Sequence, residues 1–269
     1  MENLDIIISS KLMSLAFEFI IILIAFGLFY YALPVSIAYF LFFSWDGNPL
    51  RANRIQDRTT SARDIRREIT SSCKAIVIFS ILITILVQSI KAGKSAIYTD
   101  IDKYGIIYFV CSPLLAMIIH DSYYYWLHRA MHNPLLFRWF HALHHKSGTP
   151  TPWAIYAFQP LEVIFTFLSF ALIVILLPLH PMMLGVYLFV SLFNNIAGHL
   201  GFEIVPPLRS TPWLTRYCLT VSFHDLHHSS IRTNYGVYFL FWDSLMNTVH
   251  PKYKEIYSKA VSKGKHDRA

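Results

Sequence analysis

The chain has 269 residues, 55% of them hydrophobic and only 14% charged, with a formal net charge of +7. A soluble globular protein carries about 25% charged side chains; here the uncharged residues gather in long blocks that leave too little polar sequence for a separate soluble domain, so a membrane protein is expected. The positive charge lies mostly between apolar blocks, which suits orientation in an anionic bilayer better than nucleic-acid binding.

In chain order, residues 4–18 mix apolar positions with Asp5, Lys11 and Glu18, the pattern of an interfacial helix. The acidic start and the long apolar run that follows do not read as a cleaved signal peptide. Phe19 to Phe43 carries no charge and can cross the bilayer once, with a kink expected near Pro34. Residues 44–74 hold Arg51, Arg54, Arg58, Arg63, Arg66, Arg67 and Lys74, which puts this loop on the cytoplasmic side by the positive-inside tendency. Ser61 three residues before Asp64 predicts a helix start that runs into a span over Ile69 to Ile90. Gly105 to Leu127 returns through the membrane, with Pro113 as a candidate bend and an aromatic, partly polar collar from His120 to Trp126 where it leaves lipid. Residues 146–160, with Pro150, Pro152 and Pro160, do not suit one regular helix. Leu161 to Leu177 and Met182 to Phe193 form a hairpin about the turn at Pro178 to Pro181, as a tight pair of spans or a re-entrant pair. Residues 201–269 show no further span and are expected to cap the cytoplasmic face.

Histidines dominate the chemistry. His128 and His132 stand four apart, His141, His144 and His145 follow, and His224, His227 and His228 repeat that second spacing, so eight of the 13 histidines fall into three ordered groups. Residues four apart share a helical face, and neutral imidazole is a donor for iron, zinc, copper or nickel. The cysteines Cys73, Cys111 and Cys218 form no CxxC pair, which argues against a thiolate site and a disulfide framework. Eight imidazoles exceed what one tetrahedral zinc needs, and two metals is the natural count. His199, in an apolar segment, needs a partner, which a metal or the amide of Asn195 supplies. Asp121, Asp225 and Asp243 are carboxylates able to orient ligating rings, and His120 is either a support for the site or core packing. His180 is expected to be structural, and His250 and His266 solvated.

A non-haem iron pair of this kind can activate dioxygen and oxidise an unactivated carbon. The aromatic collar and a lipid-side opening fit a greasy substrate. The chain has no GxGxxG motif or P-loop, so electrons are expected from a partner protein. Arg129, Arg138, Lys146 and the 51–67 basic run suit an acidic donor, and equally a solvated positive face.

The order HRAMH at 128–132, HALHH at 141–145 and HDLHH at 224–228, with NYG at 234–236 and Phe241-Trp242-Asp243, resembles the fatty acid hydroxylase and sterol desaturase superfamily of membrane-bound diiron oxygenases. The likeness covers roughly residues 110 to 250. Lys146-Ser147, Pro150-Thr151-Pro152-Trp153 and Pro160-Leu161-Glu162 look closest to its sterol desaturase-like branch. The resemblance implies that His128, His132, His141, His144, His145, His224, His227 and His228 ligate two iron ions and that His199 belongs to a fourth, looser box. Asn195 stands where some relatives carry the first histidine of that box, and Gln159 where many of this branch have histidine before Pro160. It further implies dioxygen as co-substrate and electrons from NAD(P)H through a cytochrome b-type or ferredoxin-like donor.

The expected architecture is an all-α, multi-pass transmembrane bundle of about four membrane segments, two of them in the hairpin, under a cytoplasmic histidine-rich helical cap. Residues 1–104 would hold the interfacial helix and first two spans, 105–250 a fatty acid hydroxylase-like catalytic domain and 251–269 a polar tail. The expected activity is hydroxylation, oxidation or desaturation at a C–H site of a sterol-like or long-chain lipid. A histidine-rich metal-binding or transport protein and a catalytically inactive scaffold of the same fold are the competing classes. With no dilysine or HDEL-type ending, a bacterial inner membrane is preferred to the endoplasmic reticulum.

Overall fold

The computed structural model describes residues 2–205 and 217–266, with the side chains of 2–6 and 263–266 outside the description. The uncharged block and the residues before it form a continuous helical rod: α1 (Glu2–Ala25), a π-helical stretch Phe26–Ala32, α2 (Leu33–Tyr39) and a second π-helical stretch Phe40–Ser44. Pro34 lacks an N–H and its ring crowds the preceding turn; it stands at the second position of α2, and the first widened stretch ends at Ala32, two residues before it. The separate interfacial helix expected over 4–18 is likewise part of this rod. Glu18 pairs with Lys91 at 2.6 Å and accepts from Gln88, which ties it to the far end of the next helix, Ala62–Lys91.

α3 (Ala62–Lys91) starts as its sequence predicts, with Ser61 Oγ accepting from Asp64 N. α4 (Gly105–Met131) carries Pro113 inside it, and a short α5 (Pro134–Phe140) follows. The proline-rich stretch after HALHH makes only a short 3-10 turn at Pro152–Ala154. α6 (Pro160–Leu176) and α7 (Pro181–Gly198) form the expected hairpin. Its turn reaches the α3–α4 loop, where Tyr98 N donates to Leu179 O at 3.2 Å and Tyr108 OH to Pro178 O at 2.8 Å. The hairpin therefore runs the full depth of the bundle. His180 caps α7 by accepting from Met182 N, a structural role as expected.

Among the described residues four helices are long and apolar enough to cross a membrane, namely Ile7–Ser44, Ala62–Lys91, Gly105–Met131 and Pro181–Gly198, with Pro160–Leu176 a shorter apolar one. No strand occurs among the described residues. Between helices in lipid the hydrophobic effect is weak, and close packing through small residues takes its place. Ala75 and Ser72 of α3 and Ala116 of α4 accordingly stand at 1%, 0% and 0% exposure in the contacts between helices. Outside the bundle, α8 (Val221–Ser229), α9 (Phe241–Leu245) and α10 (Tyr253–His266) cover the end where α4 finishes and α3 begins. There Phe223, Leu226, Leu240, Tyr253, Tyr257 and Val261 form a hydrophobic core of their own. The stretch expected as a polar tail thus supplies α10 to that core. His250 is half-buried rather than solvated, its main-chain N–H donating to Asn234 Oδ1 and its ring Nδ1 accepting from Lys252 N; the side chain of His266 lies outside the described residues.

Candidate metal centre

The chain's turns bring nine of the histidines to one end of the bundle in two adjoining groups. Ligand-capable nitrogens of His128, His132, His141, His145 and His227 lie within 4.8 Å of one another, and so do those of His144, His199, His224 and His228. His128 is in the last turn of α4 and His132 is its C-cap; His141 ends α5, and His199 ends α7. The expectation that His141 and His145 share a helix face needs correction, because α5 stops at Phe140 and His144–Lys146 form a 3-10 turn. That turn sends His145 to the first group and His144 to the second. On α8, His224 and His228 share a face and join the second group, while His227, on another face, joins the first.

Four rings are oriented by an acceptor at Nδ1. His128 donates to Tyr235 O at 2.8 Å, His141 to Glu162 Oε1 at 2.6 Å, His199 to Asn195 O at 2.8 Å and His227 to Thr233 O at 2.7 Å. With the hydrogen on Nδ1, Nε2 of each ring presents a bare lone pair. His128 Nε2 and His141 Nε2 are only 2.9 Å apart, and His145 Nε2 and His227 Nε2 3.0 Å. In the His128–His141 pair both nitrogens are bare; two lone pairs at that distance repel, and a cation between them turns the repulsion into ligation. Among the described residues the buried Nδ1 atoms of His132, His144, His145 and His228 have no hydrogen-bond partner. Burial first, and neighbouring imidazoles second, push His141, His144, His224 and His228 well below the ordinary histidine range. Burial lowers His145 to about 2 and His199 to about 4. The rings are therefore neutral donors at physiological pH, and a five-nitrogen group exceeds the four ligands that close a structural zinc site. The residues present fit a pair of metal ions.

Glu162, named above only in the Pro160-Leu161-Glu162 likeness and given no role there, is the one acid of the otherwise apolar α6. An acid at such a position needs a partner, and that was the available signal. Glu203, also unremarked, is fully buried before α8, where it accepts from Ser222 N at 2.9 Å and Ser222 Oγ at 2.7 Å and so anchors the helix carrying HDLHH.

The other candidates lie around the site without entering it. Asp121 is not bonded to a ring; its Oδ1 accepts from the N–H groups of Val237, Tyr238 and Phe239 and holds the segment after NYG. Asp225 is not bonded to a ring either, and receives Gln56 Nε2 at 2.9 Å on both oxygens, with burial raising it to about 6. Asp243 accepts from Tyr235 N, Gly236 N and Thr248 Oγ1, and so acts on His128 only through the Tyr235 main chain. Gln159 clamps the HALHH turn, accepting from Leu143 N and donating to Arg138 O. Asn195 serves His199 through its main-chain oxygen, while its side chain donates to Ile155 O. His120 bonds Tyr187 and Tyr238 rather than a clustered histidine. In NYG, Asn234 has φ 63°, and a Cβ on Gly236 would stand 2.7 Å from Phe239 O.

Beside the histidines lies a cavity of about 440 Å³ whose lining is mostly apolar and includes Phe26, Phe79, Phe167 and Leu192. Two of its lining rings touch the site, Tyr124 at 5.3 Å from His128 and Phe158 at 5.3 Å from His144, between ring centroids.

Helices long and apolar enough to cross a membrane, two histidine groups able to hold metal and an adjoining apolar cavity together define a membrane protein with a candidate metal centre. The fatty acid hydroxylase family model matches residues 113–248, just over half of the chain, and the chain belongs to that family. It is 35% identical over 181 residues to a Delta(7)-sterol 5(6)-desaturase of Gibberella zeae, a match covering 67% of this chain and 54% of that protein. It is 30% identical over 184 residues to the lathosterol oxidase of Homo sapiens, covering 67% and 60%. A very-long-chain aldehyde decarbonylase of Arabidopsis thaliana is 30% identical over 162 residues, covering 56% of this chain and 26% of that protein. The sterol desaturase and the lathosterol oxidase support the sterol desaturase-like branch. The chain thus spans less than two thirds of the length of these curated relatives. No solved structure matches it.

Proposed function

We propose that the chain is a membrane-bound diiron oxygenase that hydroxylates, oxidises or desaturates a C–H site of a sterol-like or long-chain lipid. The observation that carries the proposal is the contact of an apolar cavity with two adjoining groups of neutral imidazoles. In this reading His128, His132, His141, His145 and His227 hold one ion and His144, His199, His224 and His228 the other. An iron pair held there would supply dioxygen activation and the oxidising power to break an unactivated C–H bond. The rest is the work of the chain. Phe26, Phe79 and Phe167 keep water from the hydrocarbon, and Tyr124 and Phe158 form the boundary between lipid and ligating rings. Glu162, Tyr235, Asn195 and Thr233 hold four of those rings by Nδ1 and keep Nε2 directed inward.

Two electrons per turnover come from a cytochrome b-type or ferredoxin-like partner fed by NAD(P)H, since the chain has no dinucleotide motif of its own. The 51–67 segment supports this, because it packs at the histidine end, with Thr60 Oγ1 on Thr149 O at 2.8 Å and Arg67 on Lys146 O at 3.0 Å. A basic rim there favours an acidic donor and, by the positive-inside tendency, a cytoplasmic location in an endoplasmic reticulum or bacterial inner membrane. The test is purified protein assayed for iron and for oxygen uptake. Two irons per chain, with uptake that needs both a reductant and lipid and yields a product one oxygen heavier or two hydrogens lighter, is the expected result. A zinc-only protein inert to oxygen would overturn the proposal.

A further inference from the structure

Away from the ligating histidines, His120, Tyr187, Ser191 and Tyr238 form a polar cluster at the wall of the apolar cavity. His120 lies eight residues before His128 on α4, about 12 Å along the axis, and lines the cavity with Ser191 and Tyr238. Its Nδ1 is 2.8 Å from Tyr187 OH and 3.0 Å from Tyr238 OH. Ser191 Oγ donates to Tyr187 O at 2.7 Å and is 2.7 Å from Tyr238 OH. With the serine hydrogen spent on that carbonyl, Tyr238 donates to Ser191 and Tyr187 donates to His120 Nδ1. This arrangement uses every hydroxyl hydrogen in the cluster.

Nδ1 is then an acceptor, and the neutral ring carries its hydrogen on Nε2. That N–H has no acceptor among the described residues, which is costly in apolar surroundings. Thr166 Oγ1, also on the cavity wall, is buried without a partner, and the hydroxyls of Tyr124 and Tyr156 make no hydrogen bond among the described residues. Among the described residues no Lys or Arg lines the cavity, so a carboxylate or phosphate would enter without a counter-charge.

We infer that the cluster is the polar-end subsite of the cavity, selecting a lipid with one uncharged oxygen, an alcohol or ketone, that accepts from His120 Nε2. Free fatty acids and charged head groups are excluded. The inference rests on the cavity being the lipid site proposed above, but not on its metals.

The test is competition binding to the purified full chain in detergent, with tritiated cholestanol as tracer and cholestanol, cholestanone, cholestane and palmitate as competitors. One hydrogen bond in an apolar site predicts that the alcohol and the ketone compete about tenfold more tightly than cholestane or palmitate. His120→Phe should erase that difference while cholestane binding stays within about twofold. Tyr187→Phe removes the hydroxyl that donates to Nδ1, so the ring hydrogen moves there and Nε2 becomes an acceptor. That variant should keep the alcohol and lose the ketone. Equal competition by cholestanol and cholestane in the unaltered protein would overturn the inference, as would a full preference retained in His120→Phe. If His120→Phe loses cholestane binding as well, Tyr187→Phe decides, and equal affinity there for alcohol and ketone overturns it. Iron content and oxygen uptake of the same preparations separate the two readings. Alcohol selectivity in a protein that takes up no iron removes the oxygenase and leaves the subsite; an active, iron-loaded protein without selectivity does the reverse.

Discussion

At the scale of single residues, Glu162 matters most among those the histidine pattern did not announce. Its carboxylate meets His141 Nδ1 at 2.6 Å with both side chains almost fully buried, so ring and acid fix each other. Outer partners of metal-ligating histidines are worth about 10–100-fold in metal affinity. Glu162→Leu is therefore expected to lower iron retention by about that factor in a chelator titration, with Glu162→Gln, which still accepts the N–H, intermediate. The depressed histidines also set a pH dependence. His199, at about 4, and His145, at about 2, lie below the ordinary 6.5, so the folded metal-free chain binds fewer protons than the unfolded chain as pH falls below that value. Stability is then full above that value and is lost as pH drops towards the folded values. The Tm of metal-free protein should accordingly fall between about pH 7.5 and about pH 5; a flat profile would contradict neutral, buried rings.

At the scale of elements, α8 and the end of α7 decide which histidine joins which group. α8 carries His224 and His228 on one face and His227 on another, and its start is held by Glu203. α7 approaches so closely that a Cβ at Gly198 would stand 3.2 Å from His224 Cδ2. Gly198→Ala should therefore displace His224 and weaken the four-histidine group while leaving the five-histidine group intact. Metal analysis is expected to show loss of one of the two ions, and equal loss of both would argue against the division into groups. Helix starts and the hairpin were legible from Ser61, Pro160, Pro178 and Pro181, because capping and proline act locally. The division of HALHH between two groups was not, because it follows from a 3-10 turn clamped by Gln159 from a distant part of the chain.

At the scale of the molecule, both ends of the bundle are defined by contacts. The 45–61 loop joins the histidine end through Gln56 and Asp225, while the 92–104 loop meets the α6–α7 turn at the other. A cysteine at Arg58 and a cysteine at Lys94 should react with an impermeant reagent from opposite sides of the membrane, in a chain whose Cys73, Cys111 and Cys218 are serine. Labelling of both from one side would refute the transmembrane arrangement.

The sequence by itself determined that this is a helical membrane protein with an imidazole-rich site, since hydropathy, helix period and histidine spacing act over neighbouring residues. Only the tertiary structure decided how the nine histidines divide into five and four, which buried acid supports His141 and that His120 faces a cavity. Those outcomes depend on contacts between residues far apart in the chain, such as His128 with Tyr235 and His120 with Tyr187, and local propensity carries no information about them.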